Sequence, residues 1–233
     1  MLWYIVIILI IVILFLFLKK GYFEGLENNF DIYAITMKHK NRIDNINNQQ
    51  KKINIPIQLF DAVNGNNLDL NNVKHFKNGN FDMNEGNRKR QVGCYLSHYN
   101  LYKKCKKTGY TIVFEDDFSI DVDNLIDKLN NSIQKLKDSN VEFDMMFLGS
   151  HYNEHNGTLI IDDLYKIKNE YLAGTHAYVI NNKNIDKIIK ETTIIDCAID
   201  VKIKILAKND KLNVIKIYPD YVNVIASPST IVP

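Results

Sequence analysis

The sequence predicts an α/β domain on a mixed, mostly parallel sheet flanked by helices, preceded by one transmembrane helix. Three observations carry this. From Phe30 onward, short β-branched and aromatic runs alternate with amphipathic segments at helical spacing. The first eighteen residues, MLWYIVIILIIVILFLFL, hold no charge, Pro or Gly. The run TIVFEDDFSI drives Ile112, Val113 and Phe114 into a core and then stacks Glu115, Asp116 and Asp117 at its exit. That exit is the carboxyl end of a strand, where sheets of this kind bind ligands.

The apolar segment comes first. Eighteen helical residues span roughly 27 Å, about the hydrocarbon thickness of a thin bilayer. Trp3 and Tyr4 suit one interface, and Lys19 and Lys20 the other. A cleaved signal peptide would need a basic n-region and a small-residue cleavage site, and GYFEGLE supplies no convincing one. A buried core helix would show a polar face. Residues 1–20 therefore read as a single-pass anchor, 21–29 as a short stalk and 30–233 as one globular domain. Lys19 and Lys20 favour a cytoplasmic domain, although Glu24 and Glu27 follow closely. Asn130-Asn131-Ser132 and Asn156-Gly157-Thr158 are acceptable glycosylation sequons that an Asn-rich chain produces by chance. The side of the membrane stays open.

FDIYAIT opens the domain as a strand, and KHKNRIDNINNQQKK reads as a polar helix closed before Pro56. IQLFDAVNG is a second strand that breaks at Asn64-Gly65. Residues 66–90 are polar and weakly patterned, and read as a loop with a short helix near Leu68 to Phe76. Val92, Tyr95, Leu96, Tyr99 and Tyr102 recur at helical spacing, with Gly109 as the expected C-cap. TIVFEDD is a strand and VDNLIDKLNNSIQKLKDS an amphipathic helix. FDMMFLGS is a buried strand, LIIDDLYKIK a hairpin and AGTHAYVI a further strand. NKNIDKIIKET and AIDVKIKILAKND are helices, LNVIKIYPDYV ends in a strand, and SPSTIVP is a tail.

Composition excludes some functions. A net charge of +2 lacks the basic bias of a nucleic-acid binder. Three cysteines without CxxC or zinc spacing read as reduced, half-buried hydrophobes. No internal repeat and no GxGxxG, GxxxxGK or HExxH pattern occurs. The acidic trio is the chemically suggestive feature. Adjacent carboxylates ~5 Å apart repel by about 3 kcal/mol at an effective dielectric of ~20. Either they are solvated, as a strand running into an acidic loop would be, or something positive sits there. Along a strand the first and third side chains point the same way, which suits a hard divalent cation holding phosphate oxygens.

VGCYLSHYNLYKK followed by TIVFEDD resembles the paired signature of glycosyltransferase family 25, the lipooligosaccharide and procollagen galactosyltransferase-like group: a Gly-Cys/Ala-x-x-Ser-His helix, then an apolar strand ending Glu-Asp-Asp. IYAITMKHKNRID, FDAVNG and AGTHAYVI resemble three further family elements in order, from Phe30 nearly to the C-terminus. The chain departs from the pattern in three places. Arg90-Gln91 stands for Gly-Glu, Thr36-Met37 for Asn-Leu, and YPDYVNV lacks the family's Gln.

The resemblance implies a GT-A-like fold and a metal-dependent, inverting hexosyltransferase. It would move galactose or glucose from a UDP-sugar to a hydroxyl of a glycan or protein acceptor. Glu115 and Asp117 would hold Mn²⁺ or Mg²⁺. Arg42, Gly65, Ser97, His98, Asp116, Gly174 and Thr175 would form the donor site, and Asp200, or failing it Asp196, would act as base. On the residues alone His98 equally suits a satisfied half-buried histidine, and Arg42 an exposed helical one. His176 could point either way, and His151 reads as a surface histidine. The family places such a domain in the lumen. The alternative is a catalytically inactive relative that binds glycans or acts as a membrane-anchored scaffold; a weaker one is a metal-dependent phosphatase or nuclease.

Overall fold

In β1 (Phe30–Thr36) the side chains alternate: Ile32 and Ala34 enter one apolar cluster, Tyr33 and Ile35 another on the opposite face. Period-two alternation in the other central strands does the same, so the sheet is buried on both faces between layers of helices. The computed structural model describes residues 30–151, 157–167 and 172–225. The proposed anchor, the stalk and the tail lie outside these residues. Among the described residues no helix is long and apolar enough to cross a membrane.

The elements follow in order: α1 (Lys40–Ile53), β2 (Gln58–Asp61), β3 (Phe76–Asn80), α2 (Glu85–Tyr102), β4 (Tyr110–Glu115), β5 (Phe118–Ile120), α3 (Leu125–Asp138), β6 (Met145–Phe147), β7 (Thr158–Ile161), β8 (Leu164–Ile167), β9 (Ala177–Asn181), α4 (Ile185–Glu191), β10 (Ile195–Cys197), α5 (Ile199–Lys208), β11 (Val214–Ile217) and β12 (Val222–Val224). The main sheet has eight strands in the order β2-β1-β4-β9-β6-β11-β8-β7. β1 pairs in parallel with β2 and β4, and β6 with β11, while β9 and β8 run against their neighbours. The architecture is thus mixed α/β. α1 and α3 cover one face through Ile46, Leu129 and Ile133, and α2, α4 and α5 cover the other through Tyr95, Ile188 and Ile203.

Several expectations need correction. Asn87 to Arg90 are not the end of a loop but part of the first turns of α2, which Asn84 caps by accepting from Asn87 N–H. α2 stops at Tyr102, and Gly109 (φ +76°) instead makes the turn into β4. The helix expected near Leu68 to Phe76 is two short 3₁₀ turns, Gly65–Asn67 and Leu70–Asn72, followed by β3. β3 pairs with β10, and β5 with β12, in two small accessory sheets. The sequon at Asn130 lies within α3, where Ser132 is buried; Asn156 lies outside the described residues.

One buried carboxylate ties the lower edge of the sheet together. Asp144, 1% exposed, accepts from Lys187 Nζ at 2.6 Å and from the Asn213 amide at 2.7 Å. Asp144→Ala leaves that amide without its partner and is expected to cost roughly 2 kcal/mol. Thermal denaturation would then show a Tm lower by on the order of 6 °C.

Candidate active site

β4 ends at Glu115 and the chain turns at once. Asp116 and Asp117 form the turn, and β5 begins at Phe118. The trio is therefore gathered by a tight turn rather than by alternation along one extended strand. α1 fastens that turn: the Asn45 side-chain amide donates to the carbonyls of Asp116 (3.1 Å) and Phe118 (3.0 Å). From the other side, Ile225 N–H donates to Asp117 O at 2.8 Å. All three acidic residues border one cavity of about 450 Å³ at the carboxyl ends of β1 and β4.

The positive partner of the trio is Arg42. Its guanidinium, 2% exposed, lies 3.6 Å from Asp116 Oδ1 and 3.5 Å from Asp117 Oδ2. Arg42 does not border the cavity. It neutralises the turn from behind and is not presented to a donor phosphate. One guanidinium does not balance three carboxylates. Burial, together with the charge of Glu115, pushes the Asp117 carboxyl up to about 6.

Glu115 is held differently. Burial alone would raise its carboxyl, but hydrogen bonds from His98 and Thr175 bring it down to about 2. Thr175 Oγ1 donates to Oε1 at 2.5 Å, and His98 Nε2 lies 3.2 Å from the same oxygen. His98 Nδ1 is in turn 2.6 Å from Tyr178 Oη, which donates to Tyr102 Oη at 3.2 Å. This chain of polar groups, buried under the sheet, fixes the imidazole.

Helix α2 forms one wall, with Arg90, Cys94, Ser97 and His98 along it. It sits close to the loop after β2 because two glycines face each other. A Cβ on Gly65 would fall 2.6 Å from Arg90 Cα, and one on Gly93 would fall 2.7 Å from Gly65 Cα. Ser97 Oγ locks the contact, accepting from Val63 N–H at 2.8 Å and donating to Gly93 O at 2.7 Å. Gly93→Ala gains up to about 1 kcal/mol of helix propensity but overpacks a backbone contact, which costs about 1–3 kcal/mol. The variant is expected to melt lower than the parent, by differential scanning calorimetry.

Gly174 has φ +83°, and a Cβ there would meet the His151 ring at 2.5 Å. Gly174 N–H donates to Asp200 Oδ2 at 3.1 Å, while Asp200 Oδ1 accepts from Val201 N–H at 2.8 Å. Asp200 thus shapes the segment before β9 that presents Thr175 to Glu115. Asp196 is paired with Lys202 at 2.8 Å. Neither acid borders the cavity, and neither do Gly174 and Thr175. Gly65, Ser97, His98 and the acidic trio all do. His151 and His176 border it too, with ring centroids 5.4 Å apart, and His176 is buried. Sequence reasoning passed over Cys94 and Arg90. Their spacing with His98 on one helical face was the available signal.

The fold and site define a mixed α/β domain with an acidic cavity at the carboxyl ends of its strands, and sequence comparison gives its family. The sequence model of glycosyltransferase family 25 (LPS biosynthesis protein) matches residues 29–203, so the chain belongs to that family. It is similar to two curated proteins. The probable inactive glycosyltransferase 25 family member 3 of Rattus norvegicus is 29% identical over 106 residues, and the inactive glycosyltransferase 25 family member 3 of Mus musculus is 30% identical over 106 residues. Each match covers 42% of this chain and 18% of the relative, so the chain spans less than a fifth of the length of these relatives. Among solved structures, UDP-glucose pyrophosphorylase complexed with UDP-glucose matches with a TM-score of 0.39 and 10% identity, over 80% of this chain and 72% of that one.

Proposed function

We propose that this chain is a metal-dependent hexosyltransferase of GT-A-like fold, moving galactose or glucose from a UDP-sugar to a hydroxyl of a glycan or protein. The observation that carries it is the convergence of Glu115, Asp116 and Asp117 on one cavity, with a single buried arginine behind them. That donor set is all oxygen and carries excess negative charge, which fits Mn²⁺ or Mg²⁺. Glu115 and Asp117 would hold the ion. When bound, it would supply countercharge for the leaving diphosphate.

The chain's own residues do the rest. Thr175 and His98 orient Glu115, and Arg42 holds the turn that carries Asp116 and Asp117 in place. The Gly65–Gly93 contact brings the loop after β2 against α2, leaving a backbone-lined flank for the donor. Asp200 acts as a positioning residue through Gly174, and neither it nor Asp196 borders the cavity. Residues 1–20 would anchor the domain, 30–233, to a membrane. Resistance of the full chain to alkaline carbonate extraction, lost on deleting residues 1–20, is the expected result.

Calorimetry with UDP, with and without Mn²⁺, tests the central reading. Mn²⁺-dependent binding and hexose transfer are expected, both abolished by EDTA. The second reading, an inactive glycan-binding relative, is favoured by the names of the rat and mouse proteins and by Arg90 at the cavity wall. It predicts UDP binding that ignores Mn²⁺.

A further inference from the structure

The wall of the cavity holds a donor set unlike the carboxylate trio. Cys94 and His98 stand one turn apart on α2, so their side chains share a face. Both meet Glu115 at the end of β4. One sulfur, one ring nitrogen and one carboxylate oxygen, from Cys94, His98 and Glu115, all lie within 4.8 Å of one another. Magnesium- and manganese-class ions seek oxygen, whereas a thiolate beside an imidazole selects zinc-class ions. We propose that Cys94, His98 and Glu115 form a second cation site, for a zinc-class ion. It shares Glu115 with the carboxylate site, so that the two ions exclude each other.

The surroundings are those a metal site requires. His98 and Glu115 are oriented by partners outside the donor set: Tyr178 Oη at 2.6 Å from His98 Nδ1, and Thr175 Oγ1 at 2.5 Å from Glu115 Oε1. Such outer contacts fix ligand geometry and basicity. All three donors border the cavity, which gives an ion a route in and leaves a fourth position to water. Drawing the atoms onto bonds of ~2.0–2.3 Å takes a shift of under about 1 Å, within reach of a half-buried Cys94. A cysteine ligates as the thiolate. Binding therefore releases its proton to solvent as the sulfur–metal bond forms.

The site needs only these three side chains and does not rest on sugar transfer. The test is titration of the metal-free full chain with Co²⁺, the spectroscopic stand-in for zinc. A thiolate-to-cobalt absorption band is expected, saturating at one ion per chain and displaced by Zn²⁺. It should vanish in Cys94→Ser and persist in the double variant Cys105→Ser/Cys197→Ser, in which Cys94 is the remaining thiol. It should also persist in Asp117→Asn. Zn²⁺ should weaken Mn²⁺-dependent UDP binding at least tenfold, equivalent to about 1.4 kcal/mol. No band in the parent, or an unchanged band in Cys94→Ser, overturns the proposal. If Cys94→Ser does not fold, the double variant decides: losing the band there assigns the ion to another cysteine. A band in a chain whose UDP binding ignores Mn²⁺ would sink the transferase reading and leave this site standing.

Discussion

Asp117→Asn is expected to abolish Mn²⁺-dependent UDP binding and to lower hexose transfer by about 10³-fold, the scale on which removing one transition-state electrostatic group acts. The same substitution should raise the Tm of the metal-free protein at pH 7.5. The reason lies in the site. Burial is the largest cost to the Asp117 charge, and the Glu115 carboxylate and then Asp116 add to it, so its carboxyl is pushed up from 3.8 to about 6. A raised carboxylate pKa means that the folded state holds the proton more tightly than the unfolded chain does. Stability therefore falls as pH rises from about 4 to about 6, and the penalty persists above that. Asparagine carries no such penalty. Its advantage should be present at pH 7.5, shrink as pH falls through 6, and be gone near pH 4. Activity assays and pH-resolved thermal melts check both halves. A variant that loses activity and also melts lower at pH 7.5 would contradict this account of the site.

The second large effect is on Arg42. Arg42→Leu removes the buried guanidinium between α1 and the acidic turn, leaving two carboxylates without their countercharge. Breaking a buried pair from one side costs about 3–5 kcal/mol. Urea denaturation should show a lower midpoint with little change in slope. Two rescues identify the cause as charge and not lost packing. Adding Asp117→Asn should return part of the loss, a coupling that a double-mutant cycle measures. Mn²⁺ should raise the midpoint of Arg42→Leu more than that of the parent, because the ion would substitute for the missing charge. If neither rescue occurs, Arg42 acts by filling space.

How much of this was legible in the sequence depended on whether the signal was local. β1, β4 and α3 were readable because their apolar residues keep strict periods, as with Leu125, Leu129, Ile133 and Leu136 on one helical stripe. β3, β5 and β10 were not, because each is short and exists only through a partner distant in the chain, such as Phe118 opposite Val224. The start of α2 was hidden for another reason: Glu85 to Arg90 are polar or Gly and carry no apolar period, and only the Asn84 cap marks the helix. Within the site, the acidic trio and the Ser97-His98 pair announced themselves. Arg42 was expected in the donor site or exposed on its helix, and nothing in that helix says that it will be buried against Asp116. Asp200 looked available in sequence, but folding places it outside the cavity lining, with each oxygen accepting from a backbone amide. Cys94 lacked any zinc-type spacing because its third partner, Glu115, reaches it only through the packing of α2 on β4.

The pairing of β12 with β5 has a mechanical consequence. Three residue pairs, Phe118–Val224, Ser119–Asn223 and Ile120–Val222, form an antiparallel ribbon beside the main sheet, and the Ile225 amide clasps the acidic turn directly. Tension on the C-terminal end, or mild denaturant, would unzip this ribbon from Ile225 inward while the eight-stranded sheet stays whole. The acidic loop would come loose first, so the cavity would lose its shape ahead of global unfolding, as a locally melting unit at the rim of an intact body.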